Sequence, residues 1–136
     1  MNTSLLPVLE KLELVIPELL LDEAGWNGLF VNYHPPFVER LWRQLPLYRV
    51  YLHLIQPCEP GEALFHPHPW PSAMKVLSGR YEMLRGHGPG NNPPEIAERL
   101  VLEPGMSYEM VHPDDWHAVR PINEPAFSLM VTGKPY

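Results

Sequence analysis

His66-Pro67-His68 places two imidazoles one residue apart. In an extended segment, side chains at i and i+2 point the same way, so both rings can reach one point in space. Neutral imidazole is the commonest protein ligand for zinc, iron, copper and nickel. A third ligand is available in His112-Pro113-Asp114-Asp115-Trp116-His117-Ala118-Val119. It is either His112, which precedes a proline at a strand end, or His117, which enters an apolar run. Two histidines at this spacing plus one distant histidine make a plausible three-ligand set for a divalent metal. The same residues also suit a stiff loop in which Trp70 packs and the histidines face water. Asp114 and Asp115 read as turn residues, either of which could orient an imidazole from behind.

Gly61, His66, His68 and Gly79 fall at the spacing of the first motif of the cupins, small β-barrel proteins. The chain resembles that family from about Tyr48 to its C-terminus. Pro113 to His117 resembles the second cupin motif, with Asp115 where the family has glycine and the histidine one residue early. The resemblance makes His117 the third ligand beside His66 and His68. It puts Ser72 where a cupin usually has a metal-binding glutamate. Among cupins, the missing glutamate is similar to the cysteine dioxygenase-like enzymes, which hold ferrous iron with three histidines. Lys75-Val76-Leu77-Ser78-Gly79 and Glu124 to Leu129 also look similar to stretches of those enzymes. Met130 and Thr132 stand where that group carries a His and a Tyr, and its thiol-linked cysteine would fall near Ser72. The resemblance implies a divalent metal, iron first and zinc or nickel next. It also implies oxidation of a small molecule such as a thiol, and a homodimer with an interface at the N-terminal helix. A non-catalytic cupin that binds or senses a small ligand or a metal is the alternative.

The elements that must carry these residues can be read in order. Residues 4–16 have Leu5, Leu9, Leu12 and Ile16 at helical spacing, with Ser4 as cap and Pro7 in the first turn. Pro17 is expected to end this helix or begin a second turn. Leu29 to Tyr33 reads as a short strand. Phe37 to Leu45 reads as a second short helix closed before Pro46. Residues 1–47 are thus expected to form a helical segment packed on a barrel of residues 48–136, one domain overall. His34, before two prolines, reads as a turn residue.

Tyr48 to Ile55 alternates as a strand, with Arg49, Tyr51, His53 and Ile55 on one face. If that face lines the barrel, Arg49 could hold a substrate carboxylate with Tyr51 and His53 beside it. One-sided sheets commonly solvate such a face instead. Pro67, Pro69 and Pro71 cannot donate to a sheet ladder, so residues 66–71 are expected at an edge or as a polyproline-like wall of a pocket. Trp70, Ser72 and Met130 complete the candidate substrate wall. Tyr-Glu-Met occurs twice, at residues 81–83 and 108–110, which suggests two strands that mirror each other. Glu82 or Glu109 could act as a fourth ligand or an acid–base group, although strand glutamates usually face solvent. Phe127, Leu129 and Val131 alternate with Ser128, Met130 and Thr132 in the last strand.

Composition narrows the class. The 136 residues suit one domain, and a 45% hydrophobic share is enough for a core. The 18 prolines, against about 7 for an average chain, argue for short strands joined by stiff turns. The net charge of -6 without a basic block argues against nucleic acid or an anionic membrane as partner. A small-molecule ligand is the expected partner. One cysteine, Cys58, allows no internal disulfide, and a cytoplasmic location is the simplest expectation. A mostly-β, cupin-type double-sheet jelly-roll barrel with N-terminal helices is the predicted fold.

Overall fold

The computed structural model describes residues 3–136. Helix α1 (Leu6–Leu21) leads through a short 3-10 turn (Glu23–Gly25) into ten strands. They are β1 (Asn27–Val31), β2 (Val38–Gln44), β3 (Arg49–Ile55), β4 (His66–Pro67), β5 (Ser72–Ser78), β6 (Tyr81–His87), β7 (Glu98–Leu102), β8 (Ser107–Met110), β9 (Asp115–Pro121) and β10 (Ala126–Thr132). Six strands form one sheet in the order β1-β2-β3-β10-β5-β8, and four form the other in the order β4-β9-β6-β7. Every pairing is antiparallel. This is the predicted cupin-type, mostly-β double sheet.

Strand periodicity divides the six-stranded sheet into two layers. Val50 and Leu52 of β3 join Leu129 and Val131 of β10 and Ala73 of β5 on the outer face, under Leu5 and Leu9 of α1. Leu9 is 1% exposed, and its truncation to alanine costs about 2–5 kcal/mol. Intervening residues point inward. Tyr51, Ile55, Met74, Val76 and Met130 meet Tyr81, Met83 and Leu102 of the facing sheet in one cluster. The polar face of β3 is therefore an interior face, not a solvated one.

Three local expectations are corrected. Phe37 to Leu45 is not a helix: its centre is β2, paired with β1 on one side and β3 on the other. Val38, Leu41, Trp42 and Leu45 recur at helical spacing in a stretch rich in helix-favouring residues, yet sheet pairing on both edges wins. The segment before residue 48, expected to be helical, thus supplies β1 and β2 to the same sheet as β3. Pro17 does not end the first helix, which runs on to Leu21 with Pro17 inside. Leu5 occupies the N-cap position, and the Ser4 hydroxyl beside it accepts the Leu6 N–H at 3.3 Å. The helix starts against Glu109 of β8, whose Oε2 accepts from the Leu5 N–H at 2.9 Å and the Ser4 hydroxyl at 2.8 Å. At the other end, Trp26 Nε1 and Arg43 Nη1 donate to the Leu19 carbonyl, at 2.8 Å and 3.3 Å. No helix among the described residues is long and apolar enough to cross a membrane.

Gly79 turns β5 into β6 at φ 72°, with the Pro125 carbonyl only 2.6 Å from where a Cβ would sit. Glycine is required there on both counts. In the β6–β9 pairing that follows, His117 lies opposite Arg85.

Candidate metal centre

β4 is two residues long and forms the edge of the four-stranded sheet. His66 lies directly opposite His117 of β9. Pro67 interrupts further pairing, and the chain then carries His68 inward before β5 begins. Three Nε2 atoms converge: His68 Nε2 is 3.3 Å from that of His66 and 3.1 Å from that of His117. Two imidazole nitrogens bound about 2.0–2.1 Å from one ion stand roughly 2.8–3.4 Å apart for bond angles between octahedral and tetrahedral.

The opposite nitrogens show why these atoms face one another. His66 Nδ1 donates to the Leu64 carbonyl at 2.9 Å. His68 Nδ1 lies 2.8 Å from the Ser72 hydroxyl, and His117 Nδ1 lies 3.1 Å from the Tyr108 hydroxyl. The Tyr81 hydroxyl donates to that of Tyr108 at 3.3 Å. A ring whose Nδ1–H is so held turns a lone pair inward on Nε2. With all three rings in that tautomer, the inward lone pairs repel unless a cation or a proton lies between them. Burial resists the proton. Desolvation first, and the neighbouring rings second, lower the His68 pKa to about 3 and hold His117 well below the usual range. Desolvation also lowers His66. The donor set fits a borderline divalent cation held by neutral imidazoles.

The histidines stand in the wall of a cavity of ≈ 270 Å³ between the sheets. Apolar groups dominate the rest of the wall, including Ile55, Trp70, Val119 and Met130. No Asp or Glu lines it, and its one permanently charged group is Arg40 of β2. Arg40 Nε donates to His53 Nε2 at 2.9 Å. No carboxylate pairs with its guanidinium among the described residues. Burial lowers the Arg40 pKa; burial and then the Arg40 charge lower that of His53 to about 3.

The remaining sequence-selected residues fall into three groups. His53, Trp70 and Met130 line the cavity. Ser72 and Tyr51 stand behind it, the first on His68 and the second stacked on Trp70 with centroids 6.2 Å apart. Arg49 is elsewhere: its guanidinium lies 4.4 Å from the Trp42 ring centroid, and its Nε donates to Gln44 at 3.0 Å. Neither weighed glutamate faces the cavity, since Glu82 pairs with Arg99 and Glu109 holds α1. His112 is not the third ligand of this centre; it is exposed in the turn before β9.

Sequence reasoning missed Arg40, His34, Tyr81 and Tyr108 as wall residues. Arg40 was hidden in the expected helix. The tyrosines had a signal in the repeated Tyr-Glu-Met. With period two, Tyr81 and Met83, like Tyr108 and Met110, must share one face, and all four are buried.

No family model matches the sequence. No curated protein matches it either. Solved structures match in shape. Hydroxypropylphosphonic acid epoxidase from S. wedmorenis superposes with a TM-score of 0.59 at 17% identity, over 78% of this chain and 55% of the epoxidase. Fe(II) HppE gives 0.60 at 17%, over 78% and 56%. A protein of Bacillus halodurans gives 0.52 at 22%, over 66% and 64%. The chain thus spans about half the length of the epoxidase it matches. These similarities are of fold; by name, the first of these structures is an epoxidase and the second carries Fe(II).

Proposed function

We propose that this chain is a metal-dependent oxidative enzyme, with non-haem iron on His66, His68 and His117, acting on a small organic anion. The observation that carries the reading is the convergence of three Nε2 atoms on a cavity whose single fixed charge is Arg40. Such a cavity, with no carboxylate in its wall, favours an anion by charge alone. A divalent metal on three neutral imidazoles supplies Lewis-acid chemistry and, as iron, oxidative chemistry, with coordination positions left open.

The chain's own residues have separable tasks. Arg40 uses Nε on His53 and presents the rest of its fork to a carboxylate or phosphonate. His53, kept neutral, fixes the direction of the fork without cancelling its charge. Ser72, Tyr108 and the Leu64 carbonyl hold the three ligand rings. Trp70, Val119 and Met130 exclude water from the substrate body. The cavity volume limits the ligand to a small molecule, and small thiol acids belong to the class to be screened.

Oxygen consumption by ferrous-loaded, untagged protein, with panels of small thiols, carboxylates and phosphonates, tests the reading. Turnover should be confined to anionic members. Arg40→Ala should raise KM about 10- to 100-fold, as for loss of a charge-assisted hydrogen bond of about 1.5–3 kcal/mol, with metal content unchanged. Met130, an inert side chain on the cavity wall, favours the second reading, a non-catalytic cupin that binds a small ligand. Saturable binding of an anion with no turnover on any metal would establish that reading and overturn the first.

A further inference from the structure

We propose that His87, His112 and Asp114 form a second cation site, on the rim of the four-stranded sheet, selective for a borderline divalent ion such as Zn(II), Ni(II) or Cu(II). One donor atom from each of the three lies within 4.8 Å of the others. The site is separate from the cavity, whose lining includes none of them. It is nonetheless on the same sheet face. His87 pairs with Asp115, two positions along from the Arg85–His117 pair, a step of roughly 6.6–6.8 Å.

Several contacts build this corner. Asp115 Oδ1 accepts from His87 Nδ1 at 3.0 Å, which leaves the His87 lone pair on Nε2. A carboxylate behind an imidazole is the arrangement that orients histidine ligands and raises their basicity. Asp115 Oδ2 also accepts the His112 N–H at 3.2 Å, and the Asp114 carbonyl accepts the Gly88 N–H at 2.9 Å. The end of β6 and the turn before β9 are thereby held together, with the two rings 4.9 Å apart between centroids. No Lys or Arg pairs with Asp114 or Asp115 among the described residues. Two imidazoles and a carboxylate suit zinc, nickel or copper rather than calcium or magnesium, which take all-oxygen shells.

One feature weakens the site relative to the interior centre. His112 Nδ1 accepts the Asp114 N–H at 3.1 Å, so its lone pair is already in use. A cation must displace that exposed hydrogen bond, and water must complete its shell. The rim is therefore the weaker of two binding events.

The test is calorimetric titration of the untagged, chelator-stripped full chain with Zn(II) and with Ni(II). Wild type should bind two equivalents in a tight and a weaker event. His87→Gln/His112→Gln should lose only the weaker event. His66→Ala/His117→Ala should lose only the tight one, which separates failure of the rim site from failure of the interior centre. Asp115→Asn keeps all three donors and should weaken the second event about tenfold or more. This variant decides the matter if circular dichroism shows the double glutamine variant unfolded. One binding event in wild type, or a second event that survives both rim variants unchanged, overturns the proposal.

Discussion

Two groups of histidines sit on the β6–β9 side of this molecule, and they differ in the use made of the second ring nitrogen. In the interior, Leu64, Ser72 and Tyr108 each occupy one Nδ1, and the three Nε2 atoms face one another. On the rim, Asp115 orients His87 in the same way, but the His112 lone pair is already committed to a backbone amide. The interior rings are also withdrawn from water, whereas His87 and His112 are exposed. Histidine count alone does not make a strong centre. Converging lone pairs, held from behind and poorly hydrated, do.

The largest expected effect comes from removing the ring common to both close contacts. His68→Ala should abolish interior metal binding, a loss beyond the roughly 10–100-fold caused by changes behind a ligand. Metal analysis of untagged protein, with Co(II) absorption as a second readout, measures it. Retention of wild-type affinity would show that the three rings do not act on one ion.

Acid tests the same interior from the metal-free side. The folded-state pKa values of His53 and His68 are about 3, and those of His66 and His117 are lowered too. An unfolded histidine takes its proton near 6.5. Between these limits the unfolded chain binds protons that the folded chain refuses, so stability rises with pH. It is fully present above about pH 6.5 and is lost on acidification toward about pH 3, by about 1.4 kcal/mol per pH unit for each such group. Urea unfolding at pH 7.5, 6 and 5 with metal chelated should show this slope. His53→Gln should flatten it by about one proton. An unchanged slope would mean that His53 titrates alike in both states.

How much of this was legible depended on periodicity. The last strand carries Phe127, Leu129 and Val131 to the α1 face, with Ser128 and Met130 on the cavity wall, as its alternation required. The converging rings were legible because two of them share one extended segment. Arg40 was not, because spacing at 38, 41, 42 and 45 satisfies a helix as well as β2 does, and only pairing with β1 and β3 decides between them. The inward turn of β3 was also undecidable locally. Whether Tyr51 and His53 meet water depends on the facing sheet, which is remote in sequence. Arg49 shares their face but sits at the strand end, where Trp42 takes its guanidinium. Tyr108 on His117 required a register between strands that no local pattern encodes.

The smallest expected effect separates the three interior rings from one another. His66 is held by a main-chain carbonyl that no substitution removes, whereas His68 and His117 depend on hydroxyls. Ser72→Ala leaves His68 Nδ1 without its partner in a buried place and frees the other tautomer, which turns a proton toward the metal. Tyr108→Phe does the same to His117 and also strands the Tyr81 hydroxyl, whose pKa burial raises to about 12. Each variant should bind Co(II) about 10–100-fold more weakly, with a shifted rather than absent ligand-field spectrum. Tyr108→Phe should fall at the weaker-binding end of that range, because it disturbs two buried polar groups instead of one. Equal affinities for both variants and wild type would mean that ring orientation is set by packing alone, and the contrast with the rim would then rest on burial.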